Sequence, residues 1–251
     1  MYILLLETVG TVKDAQKLSM LYGNFSAFYT LDAGDQFGNS AAALGDINVD
    51  GVGDLVVGAY HDDDGGTDAG AVHIIFIEIN TAVKGAQKIS VLFSNFNTFY
   101  TLAADDQFGG SVPALGDIDG DSISDLAVGT IRDDDGGTRA GAVYVFFLEI
   151  NGNLKNAQKI SNLYGNFNAF YTLDAYDVFG HSAVVLGDVD GDGVIDLAVG
   201  AYLDDDGLSK AGSLYIINLL QCYCESPNPS VLPTTTPTSI SPECFSDGSK
   251  F

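Results

Sequence analysis

The chain has 251 residues, of which 46% are hydrophobic, and its formal net charge is −24 at pH 7. This length and composition suffice for a large folded domain and exclude disorder over the whole chain. The negative charge argues against binding to nucleic acid or to anionic lipid, both of which need basic patches, and favours the binding of cations.

The first segment, Met1 to Glu7, superficially resembles a signal peptide. Its apolar run is short, Glu7 interrupts it, and no basic residue precedes it. The segment aligns instead with residues 72–78 and 143–149, so we expect it to be the back half of a structural repeat. No stretch approaches the roughly 20 apolar residues of a membrane span. We therefore predict neither a signal peptide nor a membrane span in this chain.

An internal repeat of 71 residues becomes visible at Phe37-Gly38, which recurs as Phe108-Gly109 and Phe179-Gly180. The same interval relates the runs of three aspartates that begin at Asp62, Asp133 and Asp204. No insertion or deletion is needed to align the three copies. An exact internal repeat is typical of proteins in which each unit must stack on its neighbours to bury a core.

Each unit reads as short apolar or alternating segments divided by Gly-rich turns. In the first full unit we predict strands at about residues 40–44, 55–59, 71–78 and 86–91. Four strands per unit with repetition of the unit is typical of a β-propeller. The sequence thus predicts an all-β fold, a partial β-propeller of about three four-stranded blades over residues 1–220 that begins and ends within a repeat.

An acidic loop follows the first strand of each unit, and oxygen-bearing side chains stand at its positions 1, 3, 5 and 9. Calcium takes six to eight oxygen ligands, and alternate positions in a tight loop turn their carboxylates inward. Position 7 is expected to offer its backbone carbonyl, and glycine at position 6 permits the sharp turn. We predict about three Ca²⁺ ions. The expected ligands are Asp46, Asn48, Asp50, Val52 and Asp54; Asp117, Asp119, Asp121, Ile123 and Asp125; and Asp188, Asp190, Asp192, Val194 and Asp196.

The main alternative for these loops is the EF-hand, which opens with a similar acidic pattern. An EF-hand requires glutamate at position 12, where this chain has Val57, Val128 and Val199, and it requires flanking helices. A second alternative is a set of acidic turns without metal. That alternative leaves the negative charge of four oxygen side chains per loop without neutralisation, so we prefer the calcium hypothesis.

The runs of three aspartates lack the regular ligand spacing of the loops, and we interpret them as solvated turns rather than as further cation sites. The recurrent aromatic segments, such as Phe28-Tyr29, are expected to pack between repeats. His61, His73 and His181 fall at different points of the repeat and form no evident ligand set.

The last part of the chain, residues 221–251, differs in composition. It is rich in Pro, Ser and Thr and contains Cys222, Cys224 and Cys244. Such a composition predicts an extended linker or stalk rather than a packed core.

With its paired Phe-Gly and acidic-loop motifs, the chain resembles the FG-GAP repeats of integrin-α propellers over about residues 1–220. The resemblance implies a calcium-stabilised, extracellular or cell-surface module for adhesion or recognition, whose loops bind a protein or glycan ligand. The family's Gly-Ala-Pro is replaced by Gly58-Ala59-Tyr60. About three blades are fewer than propellers generally have. We therefore expect further blades from additional sequence or from another copy.

Catalysis is not expected. A catalytic acid and base need two unlike environments at one place, whereas the aspartates of the loops and runs, apart from the position of Asn48, recur in every repeat. The alternative function is a non-catalytic propeller attached to a secreted hydrolase.

Overall fold

The computed structural model describes residues 1–220, so the predicted linker at 221–251 and its cysteines lie outside the described residues. Alternating or apolar segments between glycine-rich turns form strands throughout. These strands are β1 Tyr2–Leu6, β2 Val12–Lys17, β3 Ala41–Gly45, β4 Asp54–Ala59, β5 Ala71–Ile77, β6 Val83–Ile89, β7 Phe108–Ser111, β8 Ala114–Gly116, β9 Asp125–Thr130, β10 Ala142–Leu148, β11 Leu154–Ile160, β12 Phe179–Gly187, β13 Asp196–Ala201 and β14 Ser213–Ile217. Short helical turns span Phe25–Ala27, Phe96–Phe99 and Phe167–Ala169.

Within residues 1–220, the strands form four antiparallel sheets in chain order. The first holds β1 and β2, and the second runs β3-β4-β5-β6. The third runs β11-β10-β9-β7 with β8 also on β9, and the fourth runs β12-β13-β14. The protein is therefore all-β, and its sheets correspond to blades of the predicted repeat. The inner strands β3, β7, β8 and β12 line one shared groove, as a radial arrangement of blades requires.

The last strand of each complete blade begins earlier than the sequence suggests. We predicted its start near Ala86, but β6 begins at Val83. The reason is a tight turn in which the Glu78 carbonyl accepts from the Thr81 amide and the Glu78 amide donates to the Ala82 carbonyl. This turn brings the chain back beside β5 at once, so pairing starts at Ile77 and Val83.

The Phe-Gly motif is the point at which one blade meets the next. Phe108 forms a parallel bridge with Gly70 of the preceding blade. The carbonyl of Gly109 accepts from the Ser40 hydroxyl at 2.8 Å. A Cβ at Gly58 would lie 2.1 Å from that same carbonyl, so only glycine permits the approach of the two backbones.

Aromatic side chains fill the space between each short helical turn and the blade that follows it in the chain. Phe96, in the helical turn after β6, lies 5.3 Å from Phe108 and 5.7 Å from Tyr144 between ring centroids. Phe167 repeats this arrangement with Phe179 at 5.1 Å. The phenylalanine that begins each helical turn is therefore buried and packs the blades as predicted, whereas Phe28 and its copy Phe170 are exposed. Within residues 1–220, no helix is long and apolar enough to cross a membrane.

Candidate metal centre

The first aspartate of each acidic loop closes the loop upon itself. The carboxylate of Asp117 accepts hydrogen bonds from the amides of Gly120, Asp121 and Ser122 at 2.7–3.0 Å. Asp188 makes the same three bonds one repeat later. Carboxylates favour such turns because they accept from backbone amides two to five residues ahead.

The last aspartate of each loop ties the loop to the outer hairpin of the blade. Asp125 is buried and accepts from the amide of Leu148 at 3.0 Å and from that of Ile118 at 3.0 Å. Burial raises the pKa of Asp125 to about 7, and the nearby charge of Asp119 acts in the same direction. A cation next to this carboxylate would restore its ionised form.

Three of the predicted positions converge in the second and third loops. One carboxylate oxygen from each of Asp117, Asp119 and Asp125 lies within 4.8 Å of the others. The same holds for Asp188, Asp190 and Asp196. Positions 1, 3 and 9 thus offer a common focus of oxygens, as a hard divalent cation requires.

The first loop replaces the second acid with Asn48. The Asn48 Oδ1 and Asp54 Oδ2 atoms are buried, and within residues 1–220 neither accepts a hydrogen bond. Burial raises the pKa of Asp54, against the hydrogen bond from the Ile77 amide. Unpartnered buried oxygens are costly, and a bound cation satisfies them. The donor set of this loop therefore also fits a calcium ion.

Position 5 does not join the carboxylate focus in the described structure. Instead Asp121 accepts from the amide of Ile123 at 2.8 Å and from the Lys155 ammonium at 2.7 Å. Lys155 also contacts Asp119 at 2.6 Å, and its equivalent Lys84 contacts Asp50. Partial burial raises the pKa of Asp121, but the hydrogen bonds from Lys155 and the Ile123 amide outweigh this effect, so the pKa is lowered.

Sequence reasoning missed these two lysines. They lie one repeat apart in the strands β6 and β11, and this recurrence was the signal in the sequence that could have identified them. Residue 226, which follows Lys155 by one repeat, is Ser, and among residues 1–220 no ammonium pairs with the third loop. The three loops are thus not electrostatically equivalent.

The sharp turn at position 6 is present in every loop. Gly51, Ser122 and Gly193 have φ values of +89°, +72° and +92°. Left-handed backbone of this kind favours glycine, so Ser122 carries local strain that its two counterparts avoid. The carbonyls of Val52, Ile123 and Val194 at position 7 stay predicted ligands.

The second acidic runs are not solvated turns at their first residue, and that interpretation was wrong there. Asp62 and Asp133 are each 2% exposed. Buried lysines hold them, since Lys88 contacts Asp62 at 2.6 Å and Lys159 contacts Asp133 at 2.6 Å. The cation of this second site is therefore an ammonium supplied by the chain.

Lys159 is the clearest case of this buried ion pair. Its side chain is 0% exposed and also contacts Asp135 at 2.5 Å. Burial by itself lowers the pKa of an ammonium, but attraction to Asp133 outweighs it and the pKa of Lys159 is raised. The hydroxyl of Tyr144 donates to Asp133 at 3.3 Å and completes the network.

The histidines form no common ligand set. His73 is buried among rings, and desolvation lowers its pKa to about 3, so it is neutral. His61 and His181 lie at the opposite end of the strands from the acidic loops and line a cavity there.

Two comparisons with known proteins identify the repeat. A family model described as FG-GAP repeat matches residues 37–75 and 179–217, and a second FG-GAP repeat model matches residues 102–146. The matched segments each contain one acidic loop with its flanking strands.

Similar full-length proteins are integrin alpha chains. Integrin alpha-3 of Cricetulus griseus is 32% identical over 209 residues, which cover 82% of this chain and 18% of that protein. Integrin alpha-4 of Xenopus laevis is 29% identical over 176 residues, which cover 70% of this chain and 15% of that protein. The chain thus spans less than a fifth of the length of these relatives.

Proposed function

From the premise that this chain consists of FG-GAP repeats and is a distant homologue of integrin alpha chains over most of its length, we propose that it is a calcium-stabilised recognition module. It acts at the cell surface or outside the cell, binds a protein or glycan through its loops, and carries out no catalysis. The observation that carries the calcium part is the convergence of three carboxylate oxygens within 4.8 Å in each of two loops.

Each loop holds one ion through the side chains at positions 1, 3 and 9 and the position 7 carbonyl, and the ion draws in the position 5 carboxylate, which lies outside this cluster in the structure described above. The ion neutralises carboxylates that otherwise repel one another. It thereby fixes the hairpin between the first two strands of each blade and preserves the surface that the blades present. A divalent ion at these loops is structural, because each loop is closed by its own backbone amides and tied to the outer hairpin of the blade.

Calorimetric titration of the metal-free chain with calcium is expected to show about three bound ions. Asp119→Ala and Asp190→Ala should each remove one ion, since each variant loses a central ligand of one loop. Asp205→Ala, which removes an exposed acid outside the loops, serves as the charge-matched control and should retain all sites. Equal stoichiometry in all four proteins would contradict the assignment of the loops.

The Lys155 ammonium competes with a divalent ion for Asp119 and Asp121. Lys155→Met should therefore raise the calcium affinity of the second loop about three- to tenfold, the effect of removing a partly exposed ion pair. The third loop, which lacks a lysine partner among the described residues, is the internal control and should not change. A titration in which the second loop binds calcium with unchanged or lower affinity would argue that Lys155 supports the loop instead.

A further inference from the structure

A cavity of about 550 Å³ lies at the opposite end of the blades from the acidic loops. It forms where equivalent positions of three successive blades converge, just beyond the ends of β4, β9 and β13. One set of these positions holds Tyr60, Ile131 and Tyr202, and the next holds His61, Arg132 and Leu203. The cavity is therefore built by the repeat, but its lining is not repetitive.

This divergence contrasts with the residues beside it. The position directly after His61, Arg132 and Leu203 is aspartate in all three copies. A structural role common to every blade is met by the same residue each time, as those aspartates show. Three unlike side chains at equivalent positions around one cavity instead produce an asymmetric surface, which is what selective binding requires.

The charge of the cavity is opposite to that of the protein. Arg132 and Arg139 are the two arginines of the chain, and both line it. Among residues 1–220, no aspartate or glutamate lines this cavity, although the net charge of the chain is −24. By contrast, Lys88 and Lys159 are each paired with a buried carboxylate.

The two guanidinium groups retain capacity for a further anion. The nearest carboxylate to Arg132 is that of Asp105, at 4.0 Å and 60% exposed. Within residues 1–220, the Arg139 guanidinium has no carboxylate within 4.0 Å and lies 6.0 Å from the ring centroid of Tyr176, although the backbone amide of Arg139 donates to Asp134. A planar guanidinium in such a position can donate two parallel hydrogen bonds to one carboxylate.

The neighbouring side chains are held in place by one another. His61 lies 2.9 Å from Asp68 through Nδ1 and 3.2 Å from the Gln107 amide through Nε2. The ring of Tyr202 packs 4.4 Å from that of His181, and about half of Tyr202 is exposed. Because these side chains are preorganised, the entropic cost of binding a ligand is lower.

We propose that this cavity binds a carboxylate-bearing sugar of the hexuronate type. The arginines bind the carboxylate, the tyrosine rings pack against the apolar face of the pyranose, and the amide of Gln107 lies among the polar groups for its hydroxyls. The volume suits one or two sugar units and not an extended peptide. This inference rests on the proposed recognition function and specifies its ligand class.

The test uses the full chain with saturating calcium, titrated calorimetrically with D-glucuronate and with D-glucose as the uncharged probe. Glucuronate should bind at least about tenfold more tightly than glucose. Arg132→Gln and Arg139→Gln should each weaken glucuronate binding about tenfold. Lys210→Gln is the matched control, because Lys210 is exposed, occupies the position equivalent to Arg139 in the next blade and does not line the cavity.

Three outcomes would overturn the proposal: no binding of glucuronate, equal binding of glucose, or glucuronate binding that survives both arginine substitutions. Tighter binding of the peptide Gly-Glu-Gly at the same arginines would overturn the assignment to a sugar. The melting temperature with and without calcium is recorded on the same samples. Failure of glucuronate binding with calcium stabilisation intact rejects this inference alone, whereas loss of calcium stabilisation rejects the calcium-loop proposal.

Discussion

Removal of calcium by a chelator is expected to lower the melting temperature of this protein by about 15–30 °C. A ligand that binds only the folded state stabilises it by about 2.7 kcal/mol when its free concentration is 100 times the dissociation constant. Three independent sites therefore contribute about 8 kcal/mol, and a domain of this size shifts by about 2–4 °C per kcal/mol. Differential scanning calorimetry in calcium and in chelator measures the difference directly.

The physical basis of this prediction is the density of carboxylates in each loop. In the third loop Asp188, Asp190 and Asp196 converge without an ammonium partner among residues 1–220, so metal removal leaves their repulsion uncompensated. Magnesium at the same concentration is the control. It should stabilise less, because it requires shorter bonds and stricter octahedral geometry than these loops provide. Identical melting curves in calcium and chelator would contradict the metal hypothesis.

The repeat made most of the fold predictable. Once Phe37, Phe108 and Phe179 fix the interval, the strands and acidic loops of one unit locate those of the others. The shape of the loop was also predictable, because aspartate and glycine at fixed positions dictate a turn whose carboxylates face inward. The convergence of positions 1, 3 and 9 in the second and third loops follows from this local chemistry.

Contacts between distant parts of a blade were harder to predict. Lys155 reaches Asp121 across 34 residues, and Lys159 reaches Asp135 across 24. Gln158-Lys159 recurs at the 71-residue interval after Gln16-Lys17 and Gln87-Lys88, but the partner of Lys159 depends on how β11 packs beside the acidic run. Burial of a lysine also contradicts the usual preference of that residue for the surface, so only the folded arrangement reveals the pair.

The cavity was not predictable for a different reason. Its character arises from residues that differ between the copies, such as His61 and Arg132, whereas the repeat was recognised from residues that agree. Their convergence also requires the stacking of three blades through the Phe-Gly contacts. Sequence periodicity therefore identifies the scaffold and the acidic loops more readily than the surface built on that scaffold.

Replacement of the buried lysine, Lys159→Met, is expected to lower the free energy of unfolding by about 3–5 kcal/mol, the cost of breaking a buried ion pair by removal of one partner. Asp133, which is 2% exposed, would then keep a buried charge whose remaining described side-chain partner is the Tyr144 hydroxyl. Denaturant unfolding of both proteins in saturating calcium measures this loss of unfolding free energy.

The repeat supplies a matched control in Lys17, which is the equivalent residue of the first sheet. Lys17 lies 5.1 Å from the ring centroid of Tyr22, and within residues 1–220 no carboxylate pairs with it. Lys17→Met should therefore cost less than about 1 kcal/mol, the value of an exposed cation–π contact. Because the two substitutions delete the same atoms from equivalent strands, their difference isolates the buried carboxylates. Equal losses in the two variants would show that Lys159 acts through packing of its aliphatic stem and not through its charge.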